Sequence, residues 1–186
     1  MTAADLLTGT GVVPGIAYAP AGWARKPPQV PVDTRIIAEE DRAAETERFR
    51  AAAETVAARF AARASAATGA ASEVLAATAT LAEDRGWIRT ATRQIGAGKP
   101  ATTATAEAIA KFVSQFEKIG GLMAERTTDL KDIRDRVIAE ILGLPEPGVP
   151  QPDQPIILLA PDLAPSDTAG LDPSKILGLV TQFGGP

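Results

Sequence analysis

The chain has 186 residues, of which 45% are hydrophobic and 4% aromatic, and it carries a formal net charge of −4. It contains no cysteine and no histidine, which excludes disulfides, thiolate metal sites and general-base chemistry by histidine within these residues. The acidic balance disfavours nucleic acid or a membrane surface as a partner, and no apolar run is long enough to span a bilayer, so we expect a cytoplasmic protein.

The N-terminal region contains one strand-like segment. Residues 11–19, Gly-Val-Val-Pro-Gly-Ile-Ala-Tyr-Ala, predict a strand interrupted by a Pro-Gly turn or bulge. The other strand-like runs lie beyond residue 155, and an isolated strand is not stable. We therefore expect the first and last segments of the chain to pair across everything between them, which makes the middle an insertion.

Helical periodicity dominates that middle part. A first helix over about residues 38–66 has one apolar face, formed by Phe49, Ala53, Val56, Phe60 and Ala64. Further helices are predicted around residues 74–81, over 84–95, and from a cap at Thr102 or Thr103 to the glycine pair at 120–121. A last helix has its apolar side at Leu130, Ile133, Val137, Ile138, Ile141 and Leu142, and Gly143 ends it. The five prolines of residues 145–155 indicate a stiff linker.

The C-terminal region alternates short apolar runs with turn formers. Residues 156–160 and 176–180 are too short for helices and predict buried strands. Between them, Pro165 suits the first position of a helix, and the three residues after it place oxygen atoms in a first turn whose free N–H groups favour anions. Gly184 and Gly185 follow the second strand and allow a sharp turn or a close approach to a ligand.

Two further segments combine charged and apolar side chains. Arg126 and Asp129 are neighbours on a helix surface, and an ordinary ion pair accounts for them. At the join of two helices, Asp84 is expected as a helix cap and Trp87 as a core anchor. Alternatively, an exposed tryptophan beside acidic groups would anchor an interface.

The C-terminal motifs resemble one family. The segments 162–169 (Asp-Leu-Ala-Pro-Ser-Asp-Thr-Ala) and 175–180 (Lys-Ile-Leu-Gly-Leu-Val), followed by Gly184 and Gly185, are similar to the phosphohistidine domain of enzyme I of the bacterial sugar phosphotransferase system. In that family the glycine pair leads into a Thr-Ser-His segment whose histidine accepts a phosphoryl group from phosphoenolpyruvate (PEP). The resemblance implies that this histidine follows just after Pro186, and that the chain alone is inactive as a phosphotransferase.

The same resemblance implies a fold. We expect an incomplete α/β swivelling phosphohistidine domain with an inserted antiparallel helical bundle that binds the phosphocarrier protein HPr. The α/β domain would comprise residues 1–30 and 145–186, and the helical domain residues 31–144. In the family a threonine at the position of Thr168 hydrogen-bonds the active histidine, so Thr168, Gly184 and Gly185 are expected to support it.

The expected HPr contacts lie in the helical part. The segment Glu125-Arg126-x-x-Asp129-x-x-Asp132-Ile133 is similar to a family motif whose arginine docks HPr, which implies that role for Arg126. The resemblance also implies partner-binding roles for Glu83, Asp84, Trp87 and Met123. Arg85 and Gly86 depart from the family pattern, which has acids or a proline there, and predict a less acidic groove.

The resemblance places other functions outside this chain. PEP and Mg²⁺ would bind a C-terminal barrel that also makes the full-length enzyme a homodimer, while this fragment would be a monomer. Two alternatives remain. The first is a phosphohistidine domain of a PEP-utilising dikinase or synthase, which the helical insertion of residues 38–144 disfavours because such a domain does not need it. The second is a helical binding module without enzymatic activity.

Overall fold

The computed structural model describes residues 9–29, 33 and 35–183. Their strands and helices, in chain order, are β1 (Ala21–Trp23), α1 (Arg42–Ala66), α2 (Ala70–Ala82), α3 (Arg85–Gly96), α4 (Ala101–Ile119), α5 (Leu122–Glu125), α6 (Thr127–Leu142), β2 (Ile156–Ala160), α7 (Pro165–Ala169) and β3 (Ile176–Thr181). Helices α1–α6 therefore lie between two neighbouring strands of a sheet. Within the described ranges, no helix is both long and apolar enough to cross a lipid bilayer.

The sheet joins the two ends of the chain. Its strand order is β1-β2-β3 and both pairings are parallel, so the predicted pairing of the first and last segments is confirmed. The central strand β2 buries alternate side chains, namely Ile156, Leu158 and Ala160. A parallel sheet needs long crossover connections, and the helical insertion supplies the first of them.

The first strand lies later in the chain than predicted. Residues 11–19 are not a strand, and pairing begins where the carbonyl of Pro20 accepts a hydrogen bond from the Ile157 amide at 2.9 Å. The prediction over-weighted the apolar residues of this segment: Ile16 and Tyr18 are fully exposed. Pro14 also lacks the amide hydrogen that a ladder would require.

The helices pack around α1, whose predicted apolar face is confirmed. Phe49, Ala53, Val56, Phe60 and Ala64 are all buried. α1 packs against α2, α3 and α6, while α4 packs between α3 and α6. The residues that join them in one core include Leu75, Trp87, Ile95, Ile109, Leu130, Ile133 and Val137. Gly143 ends α6 in the left-handed conformation (φ 66°), as predicted, but Leu142 is exposed rather than in the core.

The start of α4 corrects one prediction. Neither Thr102 nor Thr103 caps it, because the helix already begins at Ala101. The free Ala101 amide instead donates to the carboxylate of Glu45 on α1, at 2.8 Å. A cap supplied from another helix satisfies the same unpaired donor that a local side chain would satisfy.

A buried arginine joins the helical insertion to the sheet. Arg136 on α6 is 1% exposed and forms ion pairs with Asp132 on α6, Glu146 in the linker and Asp167 on α7. Its guanidinium carbon lies 5.1 Å from the centre of the Phe60 ring. Burial opposes its charge, but the three carboxylates outweigh burial and raise the pKa of Arg136.

The two chain segments that connect the sheet to the helical insertion are hydrogen-bonded to each other. Arg25, just after β1, exchanges two backbone hydrogen bonds with Gly148 in the linker, at 2.8 and 3.0 Å. Gly148 has a φ of +91°, and a Cβ there would lie 2.4 Å from a carboxylate oxygen of Asp167. Glycine is therefore required where the linker passes the ion-pair cluster.

We expect Arg136→Ala to destabilise the chain by about 3–5 kcal/mol, because it leaves buried carboxylates without a cation. Urea denaturation followed by circular dichroism measures the change. Arg59→Ala is the control, since the pair of Arg59 with Glu140 is 2.7 Å long but 41% exposed at the arginine, and its loss should cost at most about 1 kcal/mol. Equal losses of stability for the two variants would show that the buried ion-pair cluster is not a principal contributor to the stability of the chain.

Candidate functional site

The turn between α2 and α3 contains three of the predicted partner-binding residues. Asp84 is the N-cap of α3, and its carboxylate accepts hydrogen bonds from the amides of Gly86 (2.9 Å) and Trp87 (3.2 Å). Glu83 and Asp84 are exposed. The predicted cap is thus confirmed, and both acids remain accessible to a partner.

Trp87 lies in the core, as the core-anchor interpretation predicted. Its side chain is fully buried, its Nε1 donates to the Leu81 carbonyl at 3.1 Å, and its ring meets Phe49 edge-on at 5.8 Å between centroids. The predicted role of Trp87 as a direct partner contact is therefore corrected. The indole instead fixes the turn that presents Glu83 and Asp84.

An apolar stripe runs from this turn along α4. A Cβ at Gly86 would lie 2.8 Å from the Phe112 ring, so the glycine lets α4 approach α3 closely. Phe112, Phe116 and Ile119 follow at helical spacing on one face of α4. The stripe continues into α5 with two exposed side chains, Leu122 and Met123. We call these five residues, Phe112, Phe116, Ile119, Leu122 and Met123, the α4–α5 stripe.

Arg126 follows the stripe at the start of α6. Its Nη1 donates to the Oδ2 atom of Asp129 at 3.1 Å, which confirms the predicted ion pair. The arginine side chain is 44% exposed, whereas the aspartate side chain is 5% exposed. The pair therefore has one partner in the protein interior and one at the surface.

The hydrogen-bonding capacity of the Asp129 carboxylate is only partly used. Its Oδ1 atom is buried and has no hydrogen-bond partner. Burial raises the pKa of Asp129, and the nearby Arg126 offsets this only in part. A buried carboxylate with a single arginine partner and one unpaired oxygen costs stability.

The carboxyl ends of the strands form a second candidate region. The loop after β2 and the start of α7 face α6 across a cleft of about 310 Å³, which Asp162 and Lys131 help to line. Pro165 begins α7, as predicted. Thr168 is exposed, and its hydroxyl donates to the Pro165 carbonyl at 3.0 Å. Gly184 and Gly185 lie outside the described residues.

The other polar side chains of α7 turn away from solvent. The Ser166 hydroxyl donates to Asp132 at 2.7 Å, and Asp167 pairs with Arg136. The first turn of α7 therefore uses these two oxygen-bearing side chains to attach to α6. Of the three side chains that place oxygen atoms in this turn, only that of Thr168 stays accessible.

Comparison with known proteins identifies the family. The family of PEP-utilising enzymes, N-terminal, matches residues 8–126. Phosphoenolpyruvate-protein phosphotransferase of Streptomyces coelicolor is 41% identical over 180 residues, covering 97% of this chain and 32% of that protein. The protein of that name from Haloferax volcanii is 41% identical over 99 residues, covering 49% of this chain and 16% of its own length. The chain therefore belongs to the family of PEP-utilising enzymes, N-terminal region.

Solved structures agree with this assignment. An NMR structure of an enzyme I protein (nEIt) superposes with a TM-score of 0.77 at 27% identity, covering 93% of this chain and 72% of that chain. The N-terminal domain of a nitrogen-type enzyme I superposes with a TM-score of 0.64 at 23% identity, covering 92% and 72%, and supports the fold alone. Sequence and fold together support an N-terminal region of the enzyme I type. The chain spans about a third of the Streptomyces relative's length.

Sequence reasoning missed part of the candidate surface. The short helix α5 was not predicted, and neither was the packing of Phe112 against the start of α3. The signal for the close contact is Gly86, because a glycine near a helix start allows a ring to pack against the backbone. The pairing of Gly86 with Phe112 crosses two helices, however, and no local spacing reveals it.

Asp84→Ala should destabilise the chain by about 1 kcal/mol, the usual cost of losing an N-cap. Urea denaturation followed by circular dichroism measures the change. Asp84→Ser is the matched control, since serine caps helices comparably and should keep most of the stability. A loss of equal size in both variants would assign the effect to the charge of Asp84 rather than to its capping bonds.

Asp129→Asn should stabilise the chain at neutral pH. A pKa raised by burial means that the native state binds a proton more readily than the unfolded chain, so the free energy of unfolding falls as pH rises above about 4. The uncharged amide avoids this loss. Urea denaturation at pH 7 and at acid pH should show an advantage for the variant that shrinks as the pH falls. Parallel pH profiles for the parent chain and the variant would contradict the prediction.

Proposed function

We propose that this chain is the part of a phosphoenolpyruvate-protein phosphotransferase that docks HPr and carries the first segments of the phosphohistidine domain. The observation that carries the proposal is the α4–α5 stripe, which has Glu83 and Asp84 near one end and Arg126 at the other. An apolar strip with charges at its ends is the composition of a specific protein-binding surface.

The surface complements the partner that the family resemblance implies. HPr presents basic and apolar residues, so the exposed carboxylates of Glu83 and Asp84 would attract it while the stripe buries its apolar side chains. Met123 suits this role because a flexible, polarisable side chain adapts to a partner surface. Arg126 would supply a cationic contact and fix the docking register.

The phosphoryl transfer itself would occur at the carboxyl edge of the sheet. There the exposed Thr168 hydroxyl lies in the first turn of α7, and the glycine pair that follows β3 would lead to the active histidine. A hydroxyl that hydrogen-bonds an imidazole sets its tautomer and orientation. Transfer between two positioned nitrogen atoms depends mainly on geometry, so the swivelling domain would act by placing the histidine.

The remaining functions belong to the longer protein. Among the described residues, no group of acidic side chains is arranged to hold a metal ion. We assign Mg²⁺, PEP and dimerisation to the part of the enzyme beyond this chain, and propose that the whole enzyme acts in sugar uptake in the cytoplasm. This chain's own contribution is to dock HPr and orient the histidine loop.

Titration of the chain with HPr from the same organism tests the proposal. We expect saturable binding, measured by calorimetry, that Arg126→Ala weakens about tenfold or more, because an arginine contact at an interface is commonly dominant. Asp84→Asn, which keeps the helix cap but removes a charge, should weaken binding less and mainly at low salt.

Arg48→Ala is the matched control. Arg48 forms an ion pair with Glu45, three residues away on a helix surface, as Arg126 does with Asp129, but it lies on α1 away from the stripe. This variant should bind HPr as the parent chain does. If the folded chain does not bind HPr, or if the two arginine variants are equally impaired, the proposed docking surface is wrong.

A further inference from the structure

Arg126 lies at the junction of two helices. It is the C-cap of α5 and the residue that precedes the first turn of α6. A long arginine side chain that is 44% exposed would sample many rotamers. Something must therefore hold its guanidinium if it is to contribute a specific contact.

The group that meets this guanidinium is Asp129. It lies three residues later, in the first turn of α6, where a negative charge is favoured. Its Oδ2 atom accepts from Arg126 Nη1 at 3.1 Å, and no other side chain donates to its carboxylate within the described part of the chain. The hydrogen bond between Arg126 and Asp129 is direct, and its acceptor, Asp129, is held in the protein interior.

Asp129 cannot meet a partner itself. Its side chain is 5% exposed and lies beside core residue Leu130. Its Oδ1 atom is buried without a donor, which costs stability. An unpaired buried polar atom in a folded protein calls for an explanation other than stability.

We propose that Asp129 is a positioning residue, which holds Arg126 in the conformation that docks HPr. This inference rests on the proposed function and deepens it, since it assigns part of the docking affinity to a residue that the partner never contacts. Holding the arginine before docking reduces the conformational entropy that binding would otherwise remove.

A double-mutant cycle separates positioning from a structural role. Asp129→Asn should weaken HPr binding about three- to tenfold, the range expected for freeing one long side chain. Arg126→Ala should weaken it more, and adding Asp129→Asn to Arg126→Ala should cause no further loss, because the aspartate acts only through the arginine. Losses that multiply in the double variant would overturn the proposal, as would unchanged binding by Asp129→Asn.

Asp135→Asn provides the matched control. Asp135 is another buried carboxylate of α6 that pairs with an arginine, Arg134, at 2.8 Å. The substitution changes the same charge on the same helix without touching Arg126, so HPr binding should stay within about twofold of the parent chain. An equal loss in this control would assign the effect to net charge and overturn the proposal.

A measurement without HPr tests the positioning of Arg126 by Asp129 separately from the docking of HPr. Rotation of the Arg126 guanidinium, observed by NMR at its Nε–H group, should be slow in the parent chain and fast in Asp129→Asn. If the parent chain fails to bind HPr but this difference is present, the proposed function fails and the positioning of Arg126 stands. If the parent chain binds HPr and the rotation is equally fast in both proteins, the positioning inference fails alone.

Discussion

The buried guanidinium of Arg136 is the constraint on which the arrangement of this chain depends. An arginine that is 1% exposed must be surrounded by acceptors, and its three carboxylates come from α6, the linker and α7. One charge thus joins the helical insertion to the sheet. An arginine fork requires particular carboxylate positions, which restricts how α6, the linker and α7 can be arranged.

The ion-pair cluster around Arg136 decides which side chains remain accessible at two surfaces of the chain. On the side of the cluster, Ser166 and Asp167 are used to attach α7 to α6, so only Thr168 of that turn stays available for chemistry. At the far end of the helices, Met123 and Arg126 are available to a partner, while Phe112 is partly buried against the core. The docking surface and the carboxyl edge of the sheet are therefore carried by one connected framework, with α6 contributing to both.

Helices α1–α4 and α6 were predictable because each has a strong local signal. The face of α1, the cap at Asp84 and the end of α6 at Gly143 all follow from periodicity and from the needs of unpaired backbone groups. The first strand was misplaced because residues 11–19 are apolar without being buried. Apolar composition predicts a strand only where a partner strand covers it.

The sequence predicted only part of the candidate site, for a related reason. Exposed charges such as Glu83 and Arg126 can be proposed from a motif, but whether Trp87 is a contact or a core residue depends on which helix covers it. Its contacts with Phe49 and the Leu81 carbonyl place it inside. The close packing of Phe112 on Gly86 likewise depends on two helices meeting.

The amino-acid sequence by itself determined the helical insertion, the cap at Asp84, the end of α6 at Gly143, the pairing of the chain ends and the resemblance to enzyme I. These follow from local periodicity, turn chemistry and residue order. The tertiary structure alone decided the capping of α4 by Glu45, the cluster around Arg136, the burial of Trp87 and the half-buried pair of Asp129 with Arg126. Each of these depends on which side chains exclude water from a charge or a ring, and desolvation is a property of the packed chain rather than of any local segment.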